Sequence, residues 1–393
     1  MPIFSLKKHL KIKEESDLSI YLDYAATTPV HPDVVACMTD AFLNDFGNPS
    51  STYQLGRDVR HKIESCRRTI AETLNAKAED IIFTSSGTEA NTTALLETAE
   101  RLQSKGRHII SSQVEHSSVY QCMHRLEEQG FDVTYLDLDP DGHISLDDFQ
   151  AALREDTIIV SIMHGNNELG SLQPIEEVGK ICQERGIFFH TDTVQTYMKV
   201  PIDVEALHID ALALSAHKIH GPKGIGFLYY RDSKQNFKSY LPGGGQEHGK
   251  RASTESYPLI AGLTKAVDLA KDNLAERMEK LRSLRQYFLD GAEARGLNFQ
   301  INGPKQAELA NILNIYWPGH PSDQTLIKCD LQDVYLSAGS ACSAGSLEPS
   351  RVLVNLYGEE DDRIRQSLRL SFDPHTSQAE LDQVLDLLAS FDS

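Results

Sequence analysis

Residues 212–230 read LALSAHKIHGPKGIGFLYY. Two short apolar runs flank a turn that contains Gly221, Pro222 and Gly224, the pattern of strand, turn, strand. Lys218 stands where the first run stops. A lysine beside a strand end leans toward a pocket. Partly desolvated, such an amine loses its proton more readily, and the neutral form makes Schiff bases. Taken alone, Lys218 is one surface lysine among many, because charged side chains are mostly exposed. The rest of the chain decides between the two readings.

Upstream of this stretch, apolar and β-branched runs alternate with helical patterns. Strands are expected at 81–84, 108–111, 131–136, 157–163, 187–191 and 210–215. Helices are expected from Glu89, from Ser117 to Gly130, after Ser145 (which with Asp148 resembles a capping box), and from Pro174 to Gly186. Before the first strand, Pro29 and Pro32 introduce a helix to about Leu43. A second helix carries Val59, Ile63, Cys66, Ile70 and Leu74 on one face. Strands alternating with helices imply a mostly parallel sheet covered on both faces. Downstream of Thr264 the pattern changes. One long amphipathic helix is expected over 266–295. Short strands (297–301, 311–316, 367–372) and helices (322–329, 348–356, 377–388) follow. The expected division is an N-terminal arm at 1–20, a large domain at 21–264 and a smaller α+β domain at 265–393.

Composition narrows the classes. Of 393 residues, 38 are Lys or Arg and 57 are Asp or Glu, for a net charge of −19. An acidic surface argues against nucleic acid or anionic lipid as the main partner. No apolar run approaches the roughly 20 residues of a membrane span. The start, MPIFSLKKHLKIKEESDLSI, has no long apolar core or small-residue cleavage site, so no signal peptide is expected. Six cysteines lie scattered without CxxC pairs. That points to reduced thiols and a cytoplasmic location rather than a disulfide framework. Cys66, Cys122 and Cys182 fall on helical patterns and read as core residues, and Cys329 reads as structural.

In parallel α/β sheets, ligands bind beyond the carboxyl ends of the strands. The expected strands deliver a series of polar residues there. They are Ser85-Ser86-Gly87-Thr88 opening a helix; Glu115-His116; His164 to Glu168; Asp192 and Gln195; and Ser215, His217 and Lys218. Singly, Asp192 reads as a helix N-cap and His116 as a core histidine. Together they make a phosphate cradle, an aspartate, a histidine and a Schiff-base lysine. Pyridoxal 5′-phosphate needs that set: its aldehyde takes the lysine, its pyridine nitrogen keeps a proton against a carboxylate, and its phosphate needs N–H and hydroxyl donors. The glycines of GPKGIG at 221–226 precede a strand instead of opening a helix, so a dinucleotide site is not indicated. His217 and His220 lack an HExxH or CxxC frame, so a metal hydrolase is not indicated either.

Several stretches resemble the cysteine desulfurases of the NifS/IscS type, among the class-V aminotransferase-like enzymes. They include YLDYAATTP at 21–29, FTSSGTEAN at 83–91, VEHSSV at 114–119, MHGNNELG at 163–170, HTDTVQ at 190–195, SAHKIHGPKGIGFLYY at 215–230, GGGQEHGKRAST at 243–254, SAGSACSAGSLEPSRVL at 337–353 and LRLSF at 368–372. The resemblance spans almost the whole chain. It implies an α/β, fold type I PLP-dependent transferase: a mostly parallel seven-stranded sheet between helices, plus the smaller α+β domain.

The resemblance also implies roles. Lys218 would hold the cofactor covalently, Asp192 would pair with the pyridine nitrogen, and His116 would stack on the ring and move protons. Gln195 would bond the phenolic oxygen. Thr88, Ser215 and His217, with the Gly87 backbone, would hold the phosphate. Thr254 would reach the phosphate of the neighbouring subunit in a homodimer. Asn167, beside the cofactor, and Arg369 would grip the carboxylate of L-cysteine, which suits the bidentate guanidinium. Cys342, in a run of small residues unsuited to a core, would attack the substrate sulfur, keep it as a persulfide, and pass it to an acceptor protein for iron–sulfur cluster assembly or tRNA thiolation. The segment 343–349 is similar to the longer active-site loop of the IscS-like group. Ser253 replaces a glycine usual in the family, the small residues of 84–89 are shifted, and Ser117 and Thr193 also depart from the common pattern. A selenocysteine lyase, a cysteine C–S lyase and an aminotransferase are the competing activities; transamination has no use for the thiol at 342. A non-catalytic scaffold would be expected to have lost Lys218, Asp192 or Cys342.

Overall fold

The computed structural model describes residues 19–232, 237–339 and 349–391. In chain order its strands and helices are β1 (Ile20–Tyr21), α1 (Pro32–Asn44), α2 (Gln54–Glu72), β2 (Ile81–Thr84), α3 (Gly87–Leu102), β3 (His108–Ser112), α4 (Ser117–Glu128), β4 (Asp132–Leu136), α5 (Leu146–Ala152), β5 (Thr157–Ser161), α6 (Ile175–Arg185), β6 (Phe188–Asp192), β7 (Ala211–Ser215), β8 (Gly226–Tyr230), α7 (Tyr257–Lys271), α8 (Leu274–Ala294), β9 (Gln300–Ile301), β10 (Ile312–Tyr316), α9 (Ser322–Asp330), β11 (Val334–Tyr335), α10 (Arg351–Tyr357), β12 (Ser367–Ser371) and α11 (Gln378–Ala389).

Seven strands form one sheet in the order β2-β8-β7-β6-β5-β3-β4. Neighbours from β7 through β4 run parallel. β8 runs antiparallel to both β7 and β2. The apolar runs explain this layer. β5, β7 and β8 are buried along their full length, as strands covered on both faces must be. One face carries α3, whose Ala90 and Ala94 pack against Ile82, Ala213 and Leu228. The other face packs α1, α2, α6 and α7 into the largest apolar core. The opening stretch folds as read: β7 and β8 pair with Ser215 opposite Gly226, and a single 3-10 turn, Ala216–Lys218, breaks the first strand beside the lysine. Gly226 lies so close to its neighbours that a β-carbon there would meet the Leu214 carbonyl oxygen at 2.2 Å.

One expectation needs correction. The helix predicted over 266–295 is two helices, α7 and α8, parted at Asp272 and Asn273. Asn273 has φ +57°, a left-handed conformation that asparagine tolerates better than most residues. The break has a packing cause. Ile260, Leu263, Ala266, Val267 and Ala270 of α7 belong to the core under the large sheet. Met278, Leu281, Leu284 and Phe288 of α8 belong to a second core, around Leu313, Trp317 and Leu370. The change of pattern near Thr264 therefore falls inside α7. The second core is covered by the antiparallel sheet β12-β10-β9, and β1 pairs with β11 beside it. Ser377 and Glu380 form the complete capping box of α11. Ser145 accepts from the Asp148 N–H at the start of α5.

A polar clamp joins the two cores near the lysine. Asp373, just after β12, accepts from His220 Nε2 at 2.8 Å and lies 2.7 Å from His375 Nδ1. Burial alone would raise the Asp373 carboxyl, but these partners outweigh it and hold it at about 2. A carboxyl whose folded pKa lies below its unfolded one stabilises the fold above the unfolded value, about 3.9, and that contribution is lost as pH falls toward 2. Asp373→Asn is expected to cost about 1–3 kcal/mol at pH 7 and to flatten the acid limb of stability between pH 4 and 2. Denaturant melts of both proteins across that range check it; parallel limbs would contradict it.

Candidate active site

The strand ends converge as the parallel topology requires. Gly87, Thr88, His116, Asn167, Asp192, Gln195, Ser215, His217, Lys218 and Arg369 line one cavity of about 170 Å³, together with Ala25, Ala26 and Asn91. Of the remaining expected residues, Thr254 is exposed and does not line the cavity. Cys342 lies outside the described residues.

One end of the cavity is a helix start. Ser86 caps α3, its side chain accepting from the Glu89 N–H at 3.1 Å. Gly87 must be glycine here, since a β-carbon would meet Val194 Cγ2 at 2.8 Å and crowd Ser215. The exposed N–H groups of α3, the Thr88 and Ser215 hydroxyls and the His217 ring make a donor set suited to a phosphate. His217 Nδ1 lies 3.0 Å from Thr27 Oγ1. Burial, and then the neighbouring Lys218, push this imidazole down to about 4, which keeps it neutral.

Asp192, the last residue of β6, is held on both oxygens. Asn91 Nδ2 donates to one at 2.7 Å and the Val194 N–H to the other at 2.9 Å. Asn91 is fixed in turn by His190, whose Nε2 is 3.1 Å from Asn91 Oδ1. Burial holds His190 neutral, near 3. The Asn91 amide also donates to Ser118 Oγ at 2.9 Å. Ser118 meets His116: its N–H donates to His116 Nδ1 at 3.2 Å, and its hydroxyl lies 2.8 Å from that atom. A ring nitrogen that accepts a backbone N–H carries no hydrogen, so Nε2 carries it. Histidine, serine, asparagine and aspartate thus form one chain of hydrogen bonds. The sequence reading missed Asn91 as a site residue. It follows Gly87 and Thr88 by one helical turn, and that spacing was the available signal.

Lys218 Nζ donates to the Ala25 carbonyl at 2.5 Å and to the Ala26 carbonyl at 2.8 Å. Gln195 Nε2 donates to the same Ala25 carbonyl at 2.9 Å. Arg369, buried on β12, donates to Asp23 Oδ1 at 2.7 Å and to the Asn167 carbonyl at 3.0 Å. Its Nε is buried without a hydrogen-bond partner among the described residues. An anion would satisfy that orphaned donor. Asp23 was not foreseen either, although it sits within YLDYAATTP. Ser253, which stands where the resemblance expects glycine, adopts φ +99°, a conformation glycine takes without strain.

The residues present fit pyridoxal phosphate: phosphate donors at one end, a carboxylate at the other, and a lysine among them. No group of three or more His, Cys, Asp or Glu side chains among the described residues is arranged to hold a metal ion. No described helix is long and apolar enough to cross a membrane.

Comparison with known proteins agrees with this geometry. Residues 20–384 match the family described as aminotransferase class-V. The chain is 45% identical over 354 residues to the putative cysteine desulfurase IscS 1 of Bacillus subtilis, covering 90% of this chain and 93% of that one. It is 43% identical to the cysteine desulfurase IscS of Dictyoglomus turgidum, covering 94% and 93%. Among solved structures, a NifS-like protein superposes with TM-score 0.88 at 31% identity, covering 95% of this chain and 99% of that one. SspA in complex with cysteine superposes with TM-score 0.80 at 35% identity, covering 91% and 100%.

Proposed function

We infer the function from one premise: the chain belongs to the class-V aminotransferase family, among the cysteine desulfurases of the NifS/IscS type. It is a pyridoxal-phosphate-dependent cysteine desulfurase. It converts L-cysteine to L-alanine and passes the sulfur, carried as a persulfide on Cys342, to an acceptor protein for iron–sulfur cluster assembly or tRNA thiolation. The observation that carries this reading is the single cavity shared by Lys218, Asp192, His116 and Arg369.

Bound pyridoxal phosphate supplies an electron sink for negative charge at the substrate α-carbon. The chain's residues do the rest. Asn91 and the Val194 N–H fix the Asp192 carboxylate, which would keep a proton on the pyridine nitrogen. Lys218 would hold the cofactor covalently, and its amine is a base that the cavity offers for the substrate α-proton. His116, fixed at Nδ1 by Ser118, offers Nε2 for proton movement. Arg369 takes the substrate carboxylate with its remaining N–H, helped by Asn167. The Cys342 thiolate then forms an S–S bond to the substrate sulfur as the carbon–sulfur bond breaks. The carbon fragment takes up a proton and leaves as alanine.

The protein acts as a homodimer in the cytoplasm. Val35, Phe42, Leu43, Phe46, Tyr53 and Leu55, clustered in α1 and the entry to α2, expose their apolar side chains, and a second copy would cover them. Thr254 would then reach the phosphate of that copy. The test is to load the protein with pyridoxal phosphate, record its absorption, and add L-cysteine. A lysine-bound cofactor band, with equal alanine and sulfide under reducing conditions, is expected. Cys342→Ser should keep the band and lose sulfide. Pyruvate and ammonia in place of alanine would make the protein a C–S lyase, and no band would end the cofactor reading.

A further inference from the structure

Glu168 stands among the polar residues that follow the strand ends, and no role above uses it. It comes directly after Asn167, in the loop between β5 and α6, and is almost fully buried. Its backbone is pinned on both sides. The Glu168 N–H donates to Asn166 Oδ1 at 2.8 Å, and its carbonyl accepts from Asn314 Nδ2 of β10 at 3.2 Å. The carboxyl meets two points that stand eleven residues apart in the chain. Ser350, the N-cap of α10, donates to Glu168 Oε2, while its Oγ accepts from the Leu353 N–H at 3.1 Å. Gly339 packs beside the same oxygen: a β-carbon there would lie 3.2 Å from Oε2 and 3.4 Å from Ser350 Cβ. Cys342 comes between these two points in sequence, outside the described residues.

We propose that Glu168 is a positioning residue for sulfur transfer: its carboxyl ties together the two ends of the segment that carries Cys342, and so limits where that thiol can meet the substrate. The inference rests on the functional reading above, which gives Cys342 its sulfur-accepting role.

Each end is fixed to a different part of the site. On the first side, Ser337 and Arg369 exchange backbone hydrogen bonds of 2.6 and 3.2 Å. That end is therefore held to the residue that would take the substrate carboxylate. On the second side, Arg351 Nε donates to the Gln113 carbonyl at 2.9 Å and Nη2 to the Glu115 carbonyl. Its guanidinium lies 3.6 Å from the centre of the Tyr120 ring. That end is held to the stretch leading into His116. Glu168 joins the two.

The reach of the chain makes this matter. A chain covers at most about 3.6 Å per residue, and Cys342 follows Gly339 by three residues. Where Gly339 is held therefore bounds where the thiol can go, and reacting atoms must approach to about 3–3.5 Å. Gly339 takes φ +95°, which glycine adopts without strain, and its bare backbone is what lets this end approach the carboxyl. Glu168 does not line the cavity, so it acts through the ends of the segment and not on the substrate. The tie is independent of ionisation. A carboxylate, a carboxylic acid and a carboxamide each present an oxygen that accepts from Ser350.

Two variants remove the tie. Glu168→Leu removes the acceptor. Ser350→Gly removes the donor yet leaves a residue suited to an N-cap, so it costs α10 little. Glu168→Gln keeps the acceptor. Hydrogen exchange on the apo chain reads the tie itself. Amides at 337–339 and at the start of α10 should exchange about tenfold faster in Glu168→Leu and Ser350→Gly, with β5, β7 and β8 unchanged and Glu168→Gln close to native. A single turnover with pyridoxal phosphate and L-cysteine then reads function. The change in the cofactor band on adding L-cysteine precedes sulfur transfer and should keep its native rate. Persulfide on Cys342, followed by mass spectrometry, should form about tenfold more slowly in the first two variants and recover in Glu168→Gln. Native exchange at both ends in a folded Ser350→Gly chain overturns the proposal, as does native persulfide formation in that chain. Equal slowing of the band change and of persulfide formation overturns it too, because Glu168 would then serve substrate binding. A native chain with no cofactor band would overturn the functional reading instead, and the exchange rates would still decide whether the tie exists.

Discussion

Lys218→Ala is expected to abolish cysteine turnover, by about 10³-fold or more, while the protein stays folded. The magnitude follows from combining two losses: the covalent anchor disappears, and with it the amine placed to move the substrate proton, a role worth about 10²–10⁴ by itself. The retained fold follows from the contacts. Lys218 Nζ donates to two backbone carbonyls, and one of them, Ala25, keeps the Gln195 donor when the lysine is gone. The stability change should therefore stay near 1 kcal/mol. Reduction with borohydride after loading separates the cases. The native protein should retain one cofactor covalently per chain and Lys218→Ala none, with closely similar melting curves. Covalent retention in the variant would move the anchor to another lysine.

What could be read from the chain beforehand depended on whether the signal was local. β5, β7 and β8 announce themselves because a strand covered on both faces must be apolar along its length. The 3-10 turn at Lys218 follows from the stop of one such run before a Gly/Pro turn. The strand-end rule gathers Thr88, His116, Asp192 and Lys218 at one edge from the sequence alone. The residues that escaped are those defined by partners far away in sequence. Asn91 matters because Asp192 lies 101 residues on, and Asp23 because Arg369 lies 346 residues on. The break at Asn273 escaped for a related reason. The helical periodicity of 266–295 is unbroken in sequence, but its two halves serve different cores. Ser253 shows the converse. Its departure from the family glycine was legible, whereas the positive φ that makes the departure a strain is visible only in the fold.

The largest stability effect is expected at a pair that has no part in the chemistry. Arg67 on α2 and Glu247, just before the Lys250–Thr254 stretch, are both almost fully buried. They meet through two hydrogen bonds, of 2.7 and 2.9 Å. Arg67 also donates to the Ile81 carbonyl at 2.7 Å, and Glu247 accepts from the Phe83 N–H at 2.9 Å. The guanidinium lies 4.8 Å from the centre of the Phe83 ring. Burial alone would lower the arginine pKa, but the carboxylate reverses this and raises it. Glu247 itself sits at φ +48°, a conformation that costs about 1–2 kcal/mol and is sustained by the ion pair. Glu247→Ala removes the buried partner of Arg67 and leaves it, among the described residues, only Glu64 as an acidic partner, 3.2 Å from its Nε on the more open side. The loss should be about 3 kcal/mol, the low end for a broken buried pair. Replacing both residues with apolar ones of similar size, as in Arg67→Met with Glu247→Leu, should recover part of that loss, because no buried charge is then left unpaired. Denaturant unfolding of the two single variants and the double variant measures the coupling. A loss below about 1 kcal/mol in Glu247→Ala would show that water reaches the guanidinium. The pair also tethers the loop before Thr254 to β2, the strand that leads into Ser86, Gly87 and Thr88. Losing it should weaken retention of phosphate at that helix start along with the melting temperature. A variant that melts early yet binds inorganic phosphate as tightly as the native chain would separate the tether from the cradle.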